Sequence, residues 1–227
     1  MGYSFRASAA LVVLFAFAAP ASAMTMLVAG DQITLTGQVV ASDGPQFRGL
    51  LDANPGITTV VLRNSPGGSA VANRSISQMI AEHKLATAVA GYCVSACAMI
   101  FLSGTKRTFS DGEPIDITSL GYHGNYLAGG VLNQEPRLAA LKATVLEETG
   151  GKADPALVAR WTHFASERET MRFRYPGPDA KTTDTTVFHC SSAEPNRGNY
   201  SKCEAIPGVN ALTMGIITST EIVHVQK

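Results

Sequence analysis

The chain of 227 residues carries 18 basic and 18 acidic side chains, so its formal charge is zero and nothing electrostatic argues for a nucleic-acid partner. Hydrophobic residues make up 45% of it, enough for one domain with a real core, and in an oxidising compartment its four cysteines should mostly be paired. The first 23 residues, MGYSFRASAALVVLFAFAAPASA, hold one positive charge at Arg6, an apolar stretch from Ala9 to Ala19 and an A-x-A pattern at 21 to 23. They read as a cleaved secretory signal peptide rather than a membrane anchor. The apolar stretch is shorter than the roughly 20 residues that a bilayer span needs, and Pro20 precedes the small-residue site. Cleavage after Ala23 removes only Arg6 from the charge count, leaving 17 basic against 18 acidic residues. The remaining chain, 24–227, is expected to be a single domain with no stable membrane span, periplasmic or secreted.

In chain order, QITLTGQVV (32–40) alternates and is β-branched, and Asp43 is placed to cap a short helix ending near Asn54. ITTVVLRN (57–64) is an apolar run bounded by turn residues, which predicts a buried strand. SPGGS then makes a tight turn into a helix with Ala72, Ile76, Met79 and Ile80 on one face. LATAVAG (85–91) is a third strand, and SACAMIFLSG a buried helix ending at Gly104. Strand, helix, strand, helix is the pattern of right-handed crossovers in a largely parallel α/β sheet.

KRTF and ITSLGYHG read as further short strands. NQEPRLAALKATVLEETGG carries Leu138, Leu141 and Val145 at helical spacing, and DPALVARWTHFASE opens with Asp154 as cap and Pro155 in the first turn. From Tyr175 to Gly208 the chain is polar and rich in Pro, Gly, Ser and Thr, which predicts an inserted loop stapled by a disulfide between Cys190 and Cys203. NALTMGIITSTEIVHV closes the chain as a short helix stopped by Gly215 and a last strand. Pairing of sequence neighbours joins Cys93 to Cys97 and Cys190 to Cys203, although three pairings are open to four cysteines.

Three pieces carry chemistry: NSPGGS at 64–69, CVSAC at 93–97 and GYHG at 121–124. A serine hydroxyl attacks only when a base takes its proton and N–H groups stabilise the oxyanion. Glycines after a strand turn amides outward, and a helix opening at Ser95 leaves the Ala96 N–H free. Gly68 and Ala96 are thus the natural oxyanion donors, Ser95 the nucleophile and His123 the base. Each signal alone has a plain structural reading: a turn, a helix cap, a satisfied histidine.

In combination they resemble a known family. The run VVLRNSPGGSAVANRSISQMIAEHKLATAVAGYCVSACAMIFLSGTKRTF, followed by GYHG, is similar to the proteolytic subunit of the Clp protease and its exported bacterial relatives. Gly68 precedes Ser95 by 27 residues, Gly104 and Lys106-Arg107 follow the helix, and His123 lies 28 residues beyond Ser95. The closing ALTMGIITSTEIVHV resembles the family's final strand more loosely. The resemblance implies the Clp/crotonase fold, a spiral of β-β-α units with outer helices, and acyl-enzyme peptide hydrolysis without metal or organic cofactor. It also implies assembly as a homo-oligomeric ring. An aspartate completes the family's triad, and Glu169 is the choice here, ahead of Glu167 and Asp179. A serine-lysine dyad with Lys84 or Lys106 is the competing arrangement. A zinc site at His189, Cys190 and Cys203 matches no ligand spacing strongly. Outside the cytoplasm ATP is lacking, so an ATP-driven unfoldase is excluded and substrates should be peptides or unfolded chains. Catalytically inactive binding or scaffold proteins, esterases and hydratases of the same superfamily are the alternatives.

Overall fold

The computed structural model describes residues 23–127, 129–180, 185–192 and 194–226; the expected leader, apart from Ala23, lies outside them. The alternating segment forms β2 (Gln32–Thr36), and a strand that the sequence pattern did not suggest, β1 (Thr25–Ala29), pairs with it antiparallel. Gly30, at φ +55°, makes the turn between them. Helix α1 (Asp43–Ala53) follows, but Asp43 does not cap it. Its fully buried carboxylate instead accepts the Met24 and Val40 N–H groups at 3.1 and 2.6 Å.

Strand β3 (Thr59–Ser65) and helix α2 (Ala70–Glu82) form where the periodicity places them. Ser69 Oγ accepts the Ala72 N–H, satisfying one free amide of the helix start, and Ala72, Ile76, Met79 and Ile80 are all buried. Strand β4 (Ala86–Val94) is longer than expected because Tyr92, Cys93 and Val94 extend it. Helix α3 (Ala96–Leu102) is buried almost throughout.

At Gly91 the sheet forks. Strand β4 pairs in parallel with β5 (Arg107–Ser110) through Thr87 to Val89, then with β6 (Ser119–Tyr122) through Tyr92 to Val94. Gly91 has φ +65°, and a Cβ there would lie 2.0 Å from Asn64 Oδ1, so only glycine fits the fork.

Helices α4 (Glu135–Glu148) and α5 (Pro155–Thr162) pack on each other, and the Asp154 carboxylate caps α5 by accepting Ala156 and Leu157 N–H groups. The stretch read as a structureless insert contains strands. Strand β7 (Thr170–Arg174), itself unanticipated, pairs antiparallel with β6 and with β8 (Val187–Cys190), which pairs with β9 (Glu204–Ala205). A 3-10 turn, Glu194–Arg197, lies within the insert. Val187 and Phe188 are a two-residue apolar pair, too short to stand out from the surrounding turn residues. Two disulfides form, Cys93–Cys97 and Cys190–Cys203.

The expected C-terminal helix is a set of turns held by Asn210, whose Oδ1 accepts the Leu212 and Thr213 N–H groups. Strand β10 (Ile222–Val223) then adds to β5 in parallel. The path β1-β2-β3-β4-β6-β7-β8-β9, with β5 and β10 branching from β4, is a mixed sheet whose parallel centre carries α2 and α3 against its core. Among the described residues no helix is long and apolar enough to cross a membrane.

Candidate active site

Strands β3, β4 and β6 are adjacent and parallel, with Ser65 opposite Cys93 and Val94 opposite Gly121. The three motifs therefore leave the sheet at one edge, outside the carboxyl ends of the strands where α/β folds place their ligands. Ser95 stands between β4 and α3 with φ +59° and ψ −124°. L-residues rarely adopt such a backbone, and a serine on a strained strand-to-helix turn has its hydroxyl thrown outward. Two restraints hold it there: the Ser95 N–H donates to Gly121 O at 2.8 Å, and the Cys93–Cys97 disulfide bridges the residues two before and two after it.

The glycine turn is pressed against this elbow. A Cβ on Gly67 would lie 2.4 Å from Val94 O and 2.8 Å from Ala96 N, and a Cβ on Gly68 would lie 2.2 Å from Val39 O. Val39 donates to Gly67 O and accepts from the Ser69 N–H, both at 2.8 Å, which takes up the groups on either side of Gly68. Among the described residues neither the Gly68 nor the Ala96 N–H has a backbone or side-chain acceptor beyond the regular elements, and both residues line the cleft. Ala96 is the first residue of α3, where no upstream helical carbonyl exists.

His123 follows β6 directly. Its Nδ1 lies 2.6 Å from Gly124 O. A carbonyl can only accept, so Nδ1 carries the proton and Nε2 is left with its lone pair. Burial pushes the His123 pKa below the ordinary value, the Gly124 carbonyl works against that shift, and the Arg172 charge adds to it while Glu167 opposes it. The ring is thus a neutral base at neutral pH. Ser95 and His123 line the same cleft of about 820 Å³, and among the described residues no hydrogen bond yet links them.

The carboxylates sort themselves by contact. Glu169 accepts the Ser166 N–H and pairs with His189 Nε2 at 3.2 Å, so its side chain is committed to β8 rather than to the cleft. Glu167, ranked second from sequence, lines the cleft with His123. Asp179 is exposed, next to a turn whose Pro178 and Ala180 carbonyls hold the C-terminal segment. Lys84 and Lys106 lie at the opposite end of β4 from Ser95, since β4 starts at Ala86 and Arg107 is in register with Thr87. Eight residues of strand separate Thr87 from Ser95, about 26 Å, and Lys106 pairs with Glu221. His189 lies between Glu169 and Glu204 and stacks on Phe164, while Cys190 and Cys203 are bonded to each other. Among the described residues no cluster suited to a metal ion forms.

The cleft includes residues that sequence reasoning missed: Arg172 and Thr170 from β7, and Ser191, Ser192 and Asn196 from the insert. Thr170 and Arg172 lie in a stretch to which the sequence pattern assigned no element, and the other three in the segment read as an inserted loop. The side chain of Arg172 is buried, with Nε donating to Thr170 Oγ1 and Nη2 to Asn196 Oδ1.

Comparison with solved structures places the fold. The chain is similar to ClpP1 from Listeria monocytogenes, with TM-score 0.50 and 14% identity over 87% of this chain and 92% of that one. A point variant of the same protein gives the same values. A serine-to-alanine variant of the 1510-N membrane-bound stomatin-specific protease aligns with TM-score 0.45 and 14% identity, over 82% of this chain and 76% of that one. No protein-family profile matches the chain, and no curated protein matches it by sequence. The chain has a Clp-protease-like fold.

Proposed function

We propose that this protein is an exported serine peptidase that hydrolyses peptides or unfolded chains through an acyl-enzyme, without ATP. The observation that carries the reading is the strained Ser95 elbow sharing one cleft with His123 and two free amides, Gly68 and Ala96. In this mechanism Ser95 Oγ attacks the scissile carbonyl carbon as His123 Nε2 takes the hydroxyl proton. The tetrahedral oxyanion is held by the Gly68 and Ala96 N–H groups. The carbon–nitrogen bond then breaks and His123 passes its proton to the leaving amine. Water, deprotonated by the same ring, attacks the acyl ester and restores the serine.

Gly124 O takes the orienting part that a carboxylate plays in a triad, because it holds Nδ1 as the proton-bearing nitrogen. Glu167 adds a negative charge that favours the imidazolium formed during attack. Glu169 remains a candidate for the third member only through a rotation that releases His189. Export is supported by the leader pattern and by the pairing of all four cysteines, which fits an oxidising compartment. Assembly as a homo-oligomer belongs to the reading through the Clp-like fold, and sedimentation of the mature protein tests it.

A fluorophosphonate probe on the purified, disulfide-intact protein is the direct test. Label on Ser95 that is lost in Ser95→Ala and His123→Ala supports the peptidase; absence of label in folded protein overturns it. A non-catalytic binding protein is the second reading, favoured by the carbonyl rather than carboxylate partner of His123. Unlabelled protein that still binds peptides would establish it. Labelled protein that cleaves only esters would move the substrate class to that of an esterase.

A further inference from the structure

Arg172 is 2% exposed, and its charge has no counter-ion: among the described residues it enters no ion pair. Its Nε donates to Thr170 Oγ1 at 2.9 Å and its Nη2 to Asn196 Oδ1 at 2.7 Å, both neutral acceptors, while Nη1 has no partner. Arg107 shows what a satisfied buried guanidinium looks like in this protein. It donates to five carbonyls, those of Leu102, Gly104, Glu148, Gly215 and Ile216. A buried cation left with neutral neighbours and an orphan donor is strongly unfavourable unless something else completes it.

The position of Arg172 says what that is. It stands opposite Gly121 on the neighbouring strand, and a Cβ on Gly121 would lie 3.1 Å from its Cζ and Nε, so the guanidinium covers the backbone whose carbonyl holds the Ser95 N–H. It lines the same cleft as Ser95 and His123. Asn196, which orients the fork, comes from the segment closed by the Cys190–Cys203 disulfide. We propose that Arg172 is a specificity-determining residue of the cleft, whose guanidinium, lining the cleft and one acceptor short, receives a carboxylate of the substrate. That carboxylate is the C-terminal group of a peptide or the side chain of an acidic residue. The inference rests on the peptidase reading for the rest of the ligand.

The test uses N-acetylated alanine hexapeptides in three forms: free C-terminal acid, C-terminal amide, and amide with Asp in place of each alanine in turn. Binding is measured by calorimetry on Ser95→Ala protein and cleavage by mass spectrometry on the wild type. A carboxylate-bearing form should bind, and be turned over, at least about tenfold better than the plain amide, since a site built around a charged hydrogen bond rejects ligands lacking it. Preference for the free acid identifies the C-terminus as the source; preference for an Asp-containing amide identifies a side chain. Arg172→Gln should bring the ratio close to one, but the wild-type ratio decides even if that variant fails to fold. Binding of all forms within about twofold, or of none, overturns the inference. Ser95 labelling without a carboxylate preference overturns it alone, whereas a preference without labelling overturns the peptidase reading alone.

An independent observation carries a second inference. Met24, the residue after the A-x-A pattern, is 2% exposed, and its main-chain nitrogen donates to the fully buried Asp43 carboxylate. Among the described residues no side-chain cation pairs with Asp43. We infer that a leader peptidase hydrolyses the Ala23–Met24 bond and that the new α-ammonium neutralises Asp43, so processing tightens β1 against α1. Water supplies hydroxyl to the Ala23 carbonyl carbon and a proton to the Met24 nitrogen as the C–N bond breaks, and the new carboxyl group gives up its proton to the amine, leaving Ala23 carboxylate and Met24 ammonium. Intact mass should give Met24 as the N-terminus of the exported protein. Protein beginning at Met24 should melt several degrees above protein carrying Ser22-Ala23, and the difference should vanish in Asp43→Asn. An N-terminus elsewhere, or equal melting of the two wild-type forms, overturns the inference.

Discussion

His123 and Gly67 carry the sharpest expectations at the scale of single residues. Burial, with the Arg172 charge, holds the His123 pKa below the free value of about 6.5, so the base form predominates at neutral pH. The acid limb of kcat/KM should therefore have its midpoint below that value and be flat near pH 7, which a pH–rate profile with a neutral peptide checks. Stability follows the same sign: the unfolded chain binds the proton more tightly, so this contribution is whole above about pH 6.5 and is lost as pH falls below it. Glu167→Gln should lower kcat/KM by about tenfold or less, as expected of a partner of the imidazolium that does not touch the ring. Gly67→Ala should cost about 3 kcal/mol or more in urea unfolding, since φ is +89° and its Cβ would meet the Val94 carbonyl at 2.4 Å.

The elbow between β4 and α3 is the element on which the site depends, and the Cys93–Cys97 disulfide straps it. Closing so short a loop stabilises by about 2 kcal/mol in the chain-entropy account, against about 3 kcal/mol for Cys190–Cys203, which closes a longer one. The functional consequences should differ from that order. Replacing Cys93 and Cys97 by Ala should reduce Ser95 labelling more than replacing Cys190 and Cys203, because the first pair restrains the strained backbone itself and the second holds Asn196. Comparing labelling rates of the two double variants at matched folded fraction checks this. Elements with strong periodicity were legible: α2 from Ala72, Ile76, Met79 and Ile80, β3 from its apolar run, α5 from Asp154 and Pro155. Strands β7, β8 and β9 were not, because they are short, lie among turn residues and form by successive pairing, β7 onto β6, β8 onto β7 and β9 onto β8.

At the scale of the whole molecule, Arg107 ties the parts together. Its guanidinium takes up carbonyls near the ends of α3 and α4 and of the C-terminal turn, where helix dipoles place negative charge. Arg107→Met should destabilise by about 3 kcal/mol or more in equilibrium unfolding, since five buried carbonyls lose their donors together. The sequence by itself determined the parallel centre of the sheet, the order of the three motifs and the candidate nucleophile, base and oxyanion amides. These depend on local periodicity and on short turns whose residues are neighbours in the chain. Only the tertiary structure decided which carboxylates meet which histidines. Glu169 and His189 are twenty residues apart in the chain, yet the register of β7 and β8, with Met171 opposite His189, brings Glu169, just before β7, diagonally against it. The pairing of β7 with β6 sets Arg172 opposite Gly121, whose carbonyl accepts the Ser95 N–H, and no pattern along the chain records that.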